Sequence, residues 1–138
     1  MKQLTTVIAA IGFLVVVGGC ASMATWEGMS EAEISEWQKL GIDAEVANTF
    51  REAGLNPESI KDWYDAGIND GKTILSWHGK GFSSDEAAEW RQKQFSVGEA
   101  VRWKKENFSA DEAGRWKAAQ YDVNDAIKHR ARGLQPIR

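Results

Sequence analysis

The chain has 138 residues, which is enough for one domain with a modest hydrophobic core. Its apolar fraction of 43% and charged fraction of 27% are ordinary for a folded protein and exclude wholesale disorder. The formal net charge of −3 does not by itself indicate a polyanionic partner, and the single cysteine excludes an intramolecular disulfide.

Residues 1–20, MKQLTTVIAAIGFLVVVGGC, have the layout of a secretory signal. A basic Lys2 precedes an apolar run from Leu4 to Val17, and small residues follow that run. The apolar run is short for a membrane-spanning helix, which needs about 20 residues. The segment therefore predicts export, with a signal peptide over residues 1–19.

The end of this segment, VGGC, resembles the lipobox of bacterial lipoproteins, in which a small residue precedes an invariant cysteine. The resemblance implies cleavage before Cys20, diacylation of its sulfur, where the thiolate is the nucleophile, and acylation of the new amino group. Two or more acyl chains hold a protein stably on a membrane. Residues 20–29 would then be a lipidated tether. In that family an aspartate after the cysteine commonly means inner-membrane retention, so Ala21 favours the outer membrane, facing the periplasm. The alternatives are an uncleaved anchor and an ordinary signal with a chance cysteine.

Tryptophan returns at a regular interval along the rest of the chain. The spacing is thirteen residues at Trp37, Phe50 and Trp63, and again at Trp77, Trp90, Trp103 and Trp116. One continuous helix would turn through about 1300° over that interval, so its tryptophans would not form a stripe. The helix must therefore end once in every period. Eight such units cover residues 30–134: SEAEISEWQKLGI, DAEVANTFREAGL, NPESIKDWYDAGI, NDGKTILSWHGKGF, SSDEAAEWRQKQF, SVGEAVRWKKENF, SADEAGRWKAAQY and DVNDAIKHRARGL.

Each unit carries its own start and stop signals for a helix. Seven units begin with a residue that caps helix N-termini, namely Ser30, Asp43, Asn56, Ser83, Ser96, Ser109 and Asp122. The four serines have a glutamate at capping-box spacing, at Glu33, Glu86, Glu99 and Glu112. The left-handed C-cap position falls on Gly41, Gly54, Gly67, Gly81 and Gly133, with Asn107 as a tolerable substitute and Gln94 and Gln120 as poorer ones.

The tryptophans are predicted to close each turn and to fill the core. A Schellman C-cap brings the residue after the C-terminal glycine against the residue five positions earlier, and in six units that earlier residue is tryptophan. We therefore predict an all-α fold: an array of about eight short helices in single-helix repeats over residues 30–134, stacked into a compact superhelix. Residues 135–138 are a C-terminal tail. The alternative role for the tryptophans is a platform for a ligand.

The fourth unit, NDGKTILSWHGKGF, is one residue longer than the others. The extra residue is consistent with an insertion at Asn69–Asp70. The residue that closes each turn also changes, from Ile or Leu before this unit to Phe or Tyr from this unit to the seventh. We therefore expect a bend or a register shift near residues 69–81.

The charge of the chain changes sign at about the same place. Residues 21–69 hold ten acidic and three basic residues, whereas residues 70–138 hold ten acidic and thirteen basic residues. One interpretation is two solvated faces, in which Glu99/Arg102 and Asp111/Arg115 have the spacing of ion pairs within a helix. The functional interpretation is a basic binding surface beside the indoles, formed by Arg91, Arg102, Lys104, Lys105, Arg115 and Lys117.

The sequence contains no catalytic or metal-binding pattern. His78 and His129 are the only histidines, and His129 occupies the tryptophan position of the terminal unit, as expected for a modified cap. HExxH, GxSxG and phosphate-binding glycine loops are absent from the sequence, and the one cysteine would carry lipid. The histidines and scattered carboxylates lack metal-ligand spacing. The sequence therefore predicts no enzyme, no cofactor and no metal, and the export signal argues against nucleic acid as a partner.

Two functions suit a lipid-anchored helical array in a bacterial cell envelope. The first is a protein-interaction scaffold that offers a groove or a flank to another envelope protein. The second is a module that binds an envelope polymer, peptidoglycan or lipopolysaccharide, through exposed indoles and neighbouring arginine and lysine side chains. Shielded indoles favour the scaffold, whereas two or more exposed indoles in a row favour the polymer.

Overall fold

The computed structural model of the protein describes residues 25–136, which form eight α-helices and no strand. The helices are α1 (Glu31–Lys39), α2 (Ala44–Glu52), α3 (Pro57–Asp65), α4 (Gly71–His78), α5 (Ser84–Gln92), α6 (Val97–Lys105), α7 (Ala110–Ala118) and α8 (Val123–Ala131). The predicted all-α array of eight short helices is confirmed. The predicted signal peptide over residues 1–19 and the predicted lipid site at Cys20 lie outside the described residues.

Each helix begins at a side chain that accepts a hydrogen bond from a backbone N–H in the first turn. Asp43, for example, accepts from the N–H of Val46 at 2.9 Å. Such caps stabilise a helix by roughly 1 kcal/mol each, because they satisfy donors that have no partner inside the helix. The reciprocal bond of a full capping box is present at Ser83 and at Ser96. At Ser30 and Ser109 the serine half is present, while the third residue of each helix, a glutamate, contacts an arginine of the next helix.

The turn after each helix contains a residue with positive φ at the position that the sequence pattern predicts. This residue directly follows the C-cap residue in every helix except α4, where it comes one residue later. Glycine takes this position after five of the helices, for example Gly41 with a φ of 72°. Gln94, Asn107 and Gln120 take the same conformation at φ of 61°, 57° and 64°. Glutamine is therefore held in a conformation that costs L-residues roughly 1–2 kcal/mol. The aromatic contacts that close these two turns, Trp90 with Phe95 and Trp116 with Tyr121, offset this cost.

The extra residue of the fourth unit lies between helices. Asp70 is the N-cap of α4 and accepts from the N–H of Thr73 at 2.8 Å, so the inserted residue is Asn69. The distance along the chain from this cap to Trp77 is the same as in the other units. Ile74 and Trp77 consequently remain buried. The expected register shift is therefore confined to the linker and does not reach the core face of α4.

The repeated tryptophans form the core. Their exposed fractions are Trp37 0%, Trp63 3%, Trp77 4%, Trp90 3%, Trp103 5% and Trp116 1%. In α4, α5 and α6 each indole meets the phenylalanine that closes its own turn edge to face, with ring centroids 5.0 to 5.1 Å apart. Such aromatic pairs add to the free energy of burial. The alanine or isoleucine three residues earlier is also buried in α3 to α7. The prediction that these tryptophans are core residues is confirmed.

Alternate helices lie side by side. α1 packs against α3, α3 against α5 and α5 against α7, while α5 to α8 also pack against their neighbours along the chain. Polar contacts link the even-numbered helices: His78 Nε2 of α4 lies 3.0 Å from the carbonyl oxygen of Ala53 after α2, and Arg130 of α8 donates to the carbonyl of Asn107 after α6. Odd and even helices therefore form two rows of one compact superhelix, and a continuous aromatic and aliphatic core lies between them.

Residues 25–29, the last part of the predicted tether, pack on the first repeats. Gly28 has a φ of 74°, the conformation of the helix-ending glycines, and its carbonyl accepts from Arg51 at 3.1 Å. Asn48 donates to the carbonyl of Thr25 at 3.0 Å. Trp26 is half-buried against the core. The folded unit therefore begins before Ser30, with a turn that resembles the end of a preceding repeat.

Candidate functional site

The structure divides the six predicted basic surface residues into two groups. Lys104 and Lys117 form ion pairs with glutamates of the preceding helix. The other four side chains are exposed and form no ion pair within residues 25–136, namely Arg91, Arg102, Lys105 and Arg115. The six residues therefore do not form one uniform binding surface.

The ion pairs of Lys104 and Lys117 belong to a recurring contact between repeats. Lys104 Nζ lies 2.8 Å from Glu86 Oε1, and Lys117 Nζ lies 3.4 Å from Glu99 Oε1. In each case the eighth residue of one helix meets the third residue of the helix before it. The same positions hold Arg51 with Glu33 at 3.0 Å and Arg130 with Glu112 at 3.7 Å. We call these four contacts the inter-repeat ion pairs.

Three of these four cations also contact an aromatic ring of the repeat that lies two repeats before their own. Lys104, Lys117 and Arg130 lie over the rings of Phe82, Phe95 and Phe108 at 4.6, 4.4 and 3.6 Å from the centroids. Lys117 also donates to the carbonyl of Gln94 at 2.8 Å, beyond the end of α5. Helix C-termini carry partial negative charge that favours cations. Each of these side chains therefore joins three consecutive repeats.

Hydrogen bonds keep the glutamates of two inter-repeat ion pairs ionised. At Glu86 the hydrogen bond from Lys104 is the main cause that lowers the pKa of the carboxyl below its usual range. At Glu99 the pKa is lowered chiefly by hydrogen bonds from the backbone N–H and the hydroxyl of Ser96, with Lys117 adding to the effect. Both carboxylates therefore keep their charge to a lower pH than an ordinary glutamate does.

The ion pairs expected within single helices are replaced by these contacts between helices. Glu99 pairs with Lys117 instead of Arg102, and Asp111 pairs with Lys93 at 2.7 Å instead of Arg115. A signal for the inter-repeat ion pairs was present in the alignment of the units. Glutamate stands third in α1, α5, α6 and α7, and arginine or lysine stands eighth in α2, α6, α7 and α8.

Three grooves run between neighbouring helices of the odd-numbered row. The α1/α3 groove has a volume of about 880 Å³ and is lined by Leu40, Pro57 and charged residues. The α3/α5 groove, about 530 Å³, is lined by Ala66, Asp85, Ala88, Glu89 and Gln92. The α5/α7 groove, about 400 Å³, is lined by Lys93, Asp111, Gly114, Arg115 and Ala118. A further cavity of about 410 Å³ lies among α6, α7 and α8, where Arg102, Trp103 and Lys117 are part of its lining. These grooves and this cavity are concave surfaces that the array offers to a partner.

Both histidines are part of the packing of the array. His78 Nε2 lies 3.0 Å from the carbonyl oxygen of Ala53, at the end of α2. The ring of His129 packs against Tyr121 and Trp116 with centroids 4.8 and 6.1 Å away. Within residues 25–136 no group of three or more histidine, cysteine or acidic side chains is arranged to hold a metal ion. Within the same residues none of the helices has the length and apolar character required to cross a bilayer.

Comparison of the chain with protein-family models, with curated proteins and with solved structures found no match.

Proposed function

We propose that this protein is a lipid-anchored scaffold of the bacterial cell envelope, whose helical repeats bind another envelope protein. The observation that carries the proposal is the burial of the repeated indoles, none of which is more than 5% exposed. A platform for sugar rings requires open aromatic faces, and the repeats offer only helix flanks and grooves. Binding through such surfaces is the usual mode of helical repeat proteins.

The alternative is an envelope-polymer module that holds peptidoglycan or lipopolysaccharide through basic side chains alone. Arg91, Arg102, Lys105 and Arg115 are exposed and would be its contacts. Lys104 and Lys117 support this alternative less well, because their charges are already shared with glutamates. The scaffold is therefore the preferred function, and polymer binding is an outcome of the test below.

The anchor is tested by metabolic labelling with palmitate. The chain has one cysteine, so a label attached through sulfur can only be at Cys20. We expect label in the wild type and its complete loss in Cys20→Ser, together with loss of normal processing. A wild-type protein that remains unlabelled and fractionates away from membranes would contradict the lipid anchor.

The partner class is tested with the lipidated protein in its native envelope. Affinity capture after mild cross-linking should recover a defined protein in stoichiometric amount, while Cys20→Ser, which is not localised by lipid, should not. Cosedimentation with purified peptidoglycan or lipopolysaccharide should be weak. Strong polymer binding that falls as salt screens exposed charges over about 8–10 Å would instead favour the alternative.

A further inference from the structure

The α5/α7 groove holds a lysine side chain of the protein itself. Lys93, the C-cap residue of α5, reaches across the groove and places Nζ 2.7 Å from Asp111 Oδ1. Its aliphatic stem lies against Gly114, where an added Cβ would be 3.4 Å from Lys93 Cδ. This contact lowers the pKa of the Asp111 carboxyl, chiefly through the hydrogen bond from Lys93. The groove therefore binds a lysine by its stem and its ammonium together.

The α3/α5 groove has residues of the same kind at the equivalent positions, except that it lacks the lysine. The C-cap residue of α3 is Ala66, where α5 has Lys93. The second helical residue is again an aspartate, Asp85, and the fifth is the small Ala88. Within residues 25–136 Asp85 forms no ion pair. The α3/α5 groove thus has the carboxylate acceptor, Asp85, and the small residue, Ala88, but it has no lysine at the C-cap position of α3.

The surroundings of the α3/α5 groove favour a cation more strongly than those of the α5/α7 groove. In the α3/α5 groove the sixth residue of α5 is the acidic Glu89, whereas in the α5/α7 groove the sixth residue of α7 is the basic Arg115. Asp62 and Asp65 line the adjoining part of the groove, and Asp65 is paired with Lys61 at 2.8 Å. A metal ion is disfavoured, because no three of these carboxylates are arranged as ligands within the described residues.

We propose that the α3/α5 groove binds a lysine side chain supplied by a basic segment of a partner protein. The ammonium group pairs with Asp85, the stem lies over Ala88, and Glu89 and Asp62 attract the neighbouring positive charge of the segment. The proposal rests on the scaffold function and names the chemistry of the partner that it would bind. Charge complementarity of this kind sets specificity and association rate.

The test uses the α5/α7 groove as its template. Ala66→Lys gives the α3/α5 groove its own lysine at the position of Lys93, and it removes no carboxylate. Ala119→Lys is the matched control, because Ala119 is the C-cap residue of α7 and lines neither groove. Asp85→Asn removes the acceptor itself. The probe is a short N-acetylated peptide of alternating lysine and alanine, added to the full-length 15N-labelled chain in a zwitterionic detergent and followed by NMR.

We expect the peptide to shift the amide signals of Ala66, Asp85 and Ala88 more than those of the α5/α7 groove. Ala66→Lys and Asp85→Asn should each weaken binding about tenfold or more, the loss of one charge-assisted contact, and Ala119→Lys should bind like the wild type apart from a small uniform loss. The melting temperature of Ala66→Lys should be no lower than that of the wild type. This result would show that the new lysine occupies the groove without unfolding the protein.

The proposal would be overturned if Ala66→Lys and Ala119→Lys reduced peptide binding equally. It would also be overturned if the amide shifts caused by the peptide mapped to another groove. Failure of the groove is distinguishable from failure of the scaffold function. If Ala66→Lys still captures the same envelope protein as the wild type, only the groove assignment is wrong; if neither captures a protein, the scaffold function is wrong.

Discussion

Lys104, Lys117 and Arg130 occupy the same position in three successive helices, and each contacts the two preceding repeats. Their cations meet a glutamate of one repeat and the phenylalanine ring that closes the other. In the middle of the array the equivalent position holds Arg91, but its counterpart in α4 is Thr73, which carries no charge. Inter-repeat ion pairs therefore link the last four repeats in succession, and among the described residues none links α2 to α3, α3 to α4 or α4 to α5.

Replacing Lys117 tests whether these contacts stabilise the array. Lys117→Met keeps most of the stem and removes the ion pair with Glu99 and the cation–π contact with Phe95. We expect a loss of about 1 kcal/mol in the free energy of unfolding, because exposed pairs and cation–π contacts each contribute only modestly. Lys105→Met, in an exposed side chain of the same residue type, should change stability by less than about 0.5 kcal/mol. Equal effects in urea unfolding would show that the inter-repeat ion pairs contribute nothing.

The lowered pKa values of Glu86 and Glu99 predict how stability depends on pH. A carboxyl whose pKa is lower in the folded state contributes stability above its unfolded pKa of 4.5, and that stability is lost as pH falls through the folded pKa. The melting temperature should therefore be nearly constant above about pH 5 and should fall below it. Glu99→Gln should melt lower than the wild type at pH 7, and the two should approach each other at pH 3. A difference that stays constant over this range would exclude the ionised carboxylate as its source.

The sequence predicts single helices of this array well, because each helix is specified locally. Caps, C-terminal glycines and the tryptophan that closes the turn all lie within thirteen residues of one another. The left-handed conformation of Gln94 and Gln120 could be placed only by the repeat, since glutamine has no preference for it. The inter-repeat ion pairs were missed because their partners are 18 residues apart, beyond the spacing at which pairs form within one helix.

The packing of α6 depends on the burial of one tryptophan. Trp103, on α6, is 5% exposed, and Trp103→Ala should cost about 3–5 kcal/mol as the packing around α5 and α7 is lost. Val46 is 40% exposed on α2, so Val46→Ala should change stability by less than about 0.5 kcal/mol. Thermal or chemical unfolding of both variants gives the comparison. Small losses of similar size in both would show that the tryptophans do not form the core.

Residues 25–136 form an array whose repeated aromatic residues are inside and whose charge varies from end to end. The sequence indicates the acidic first half and the basic second half, but it does not show which charges are neutralised within the array. The structure assigns Lys93, Lys104 and Lys117 to internal ion pairs and leaves Asp85 without one among the described residues. Because the proposed lysine groove depends on such an unpaired carboxylate, it could not be located from residue type alone.

The repeated indoles are core residues, and the proposed binding is left to the outer surface. Acrylamide quenching of tryptophan fluorescence measures this burial, with Trp26→Phe as the matched variant, because Trp26 lies outside the repeats and is half-buried. We predict that Trp26 supplies the readily quenched emission of the seven tryptophans, that Trp26→Phe abolishes it, and that added peptidoglycan fragments change nothing. The opposite result would be that two or more indoles of Trp26→Phe are readily quenched and that added peptidoglycan fragments reduce this quenching. That result would contradict the burial of the repeated indoles and favour a polymer-binding platform.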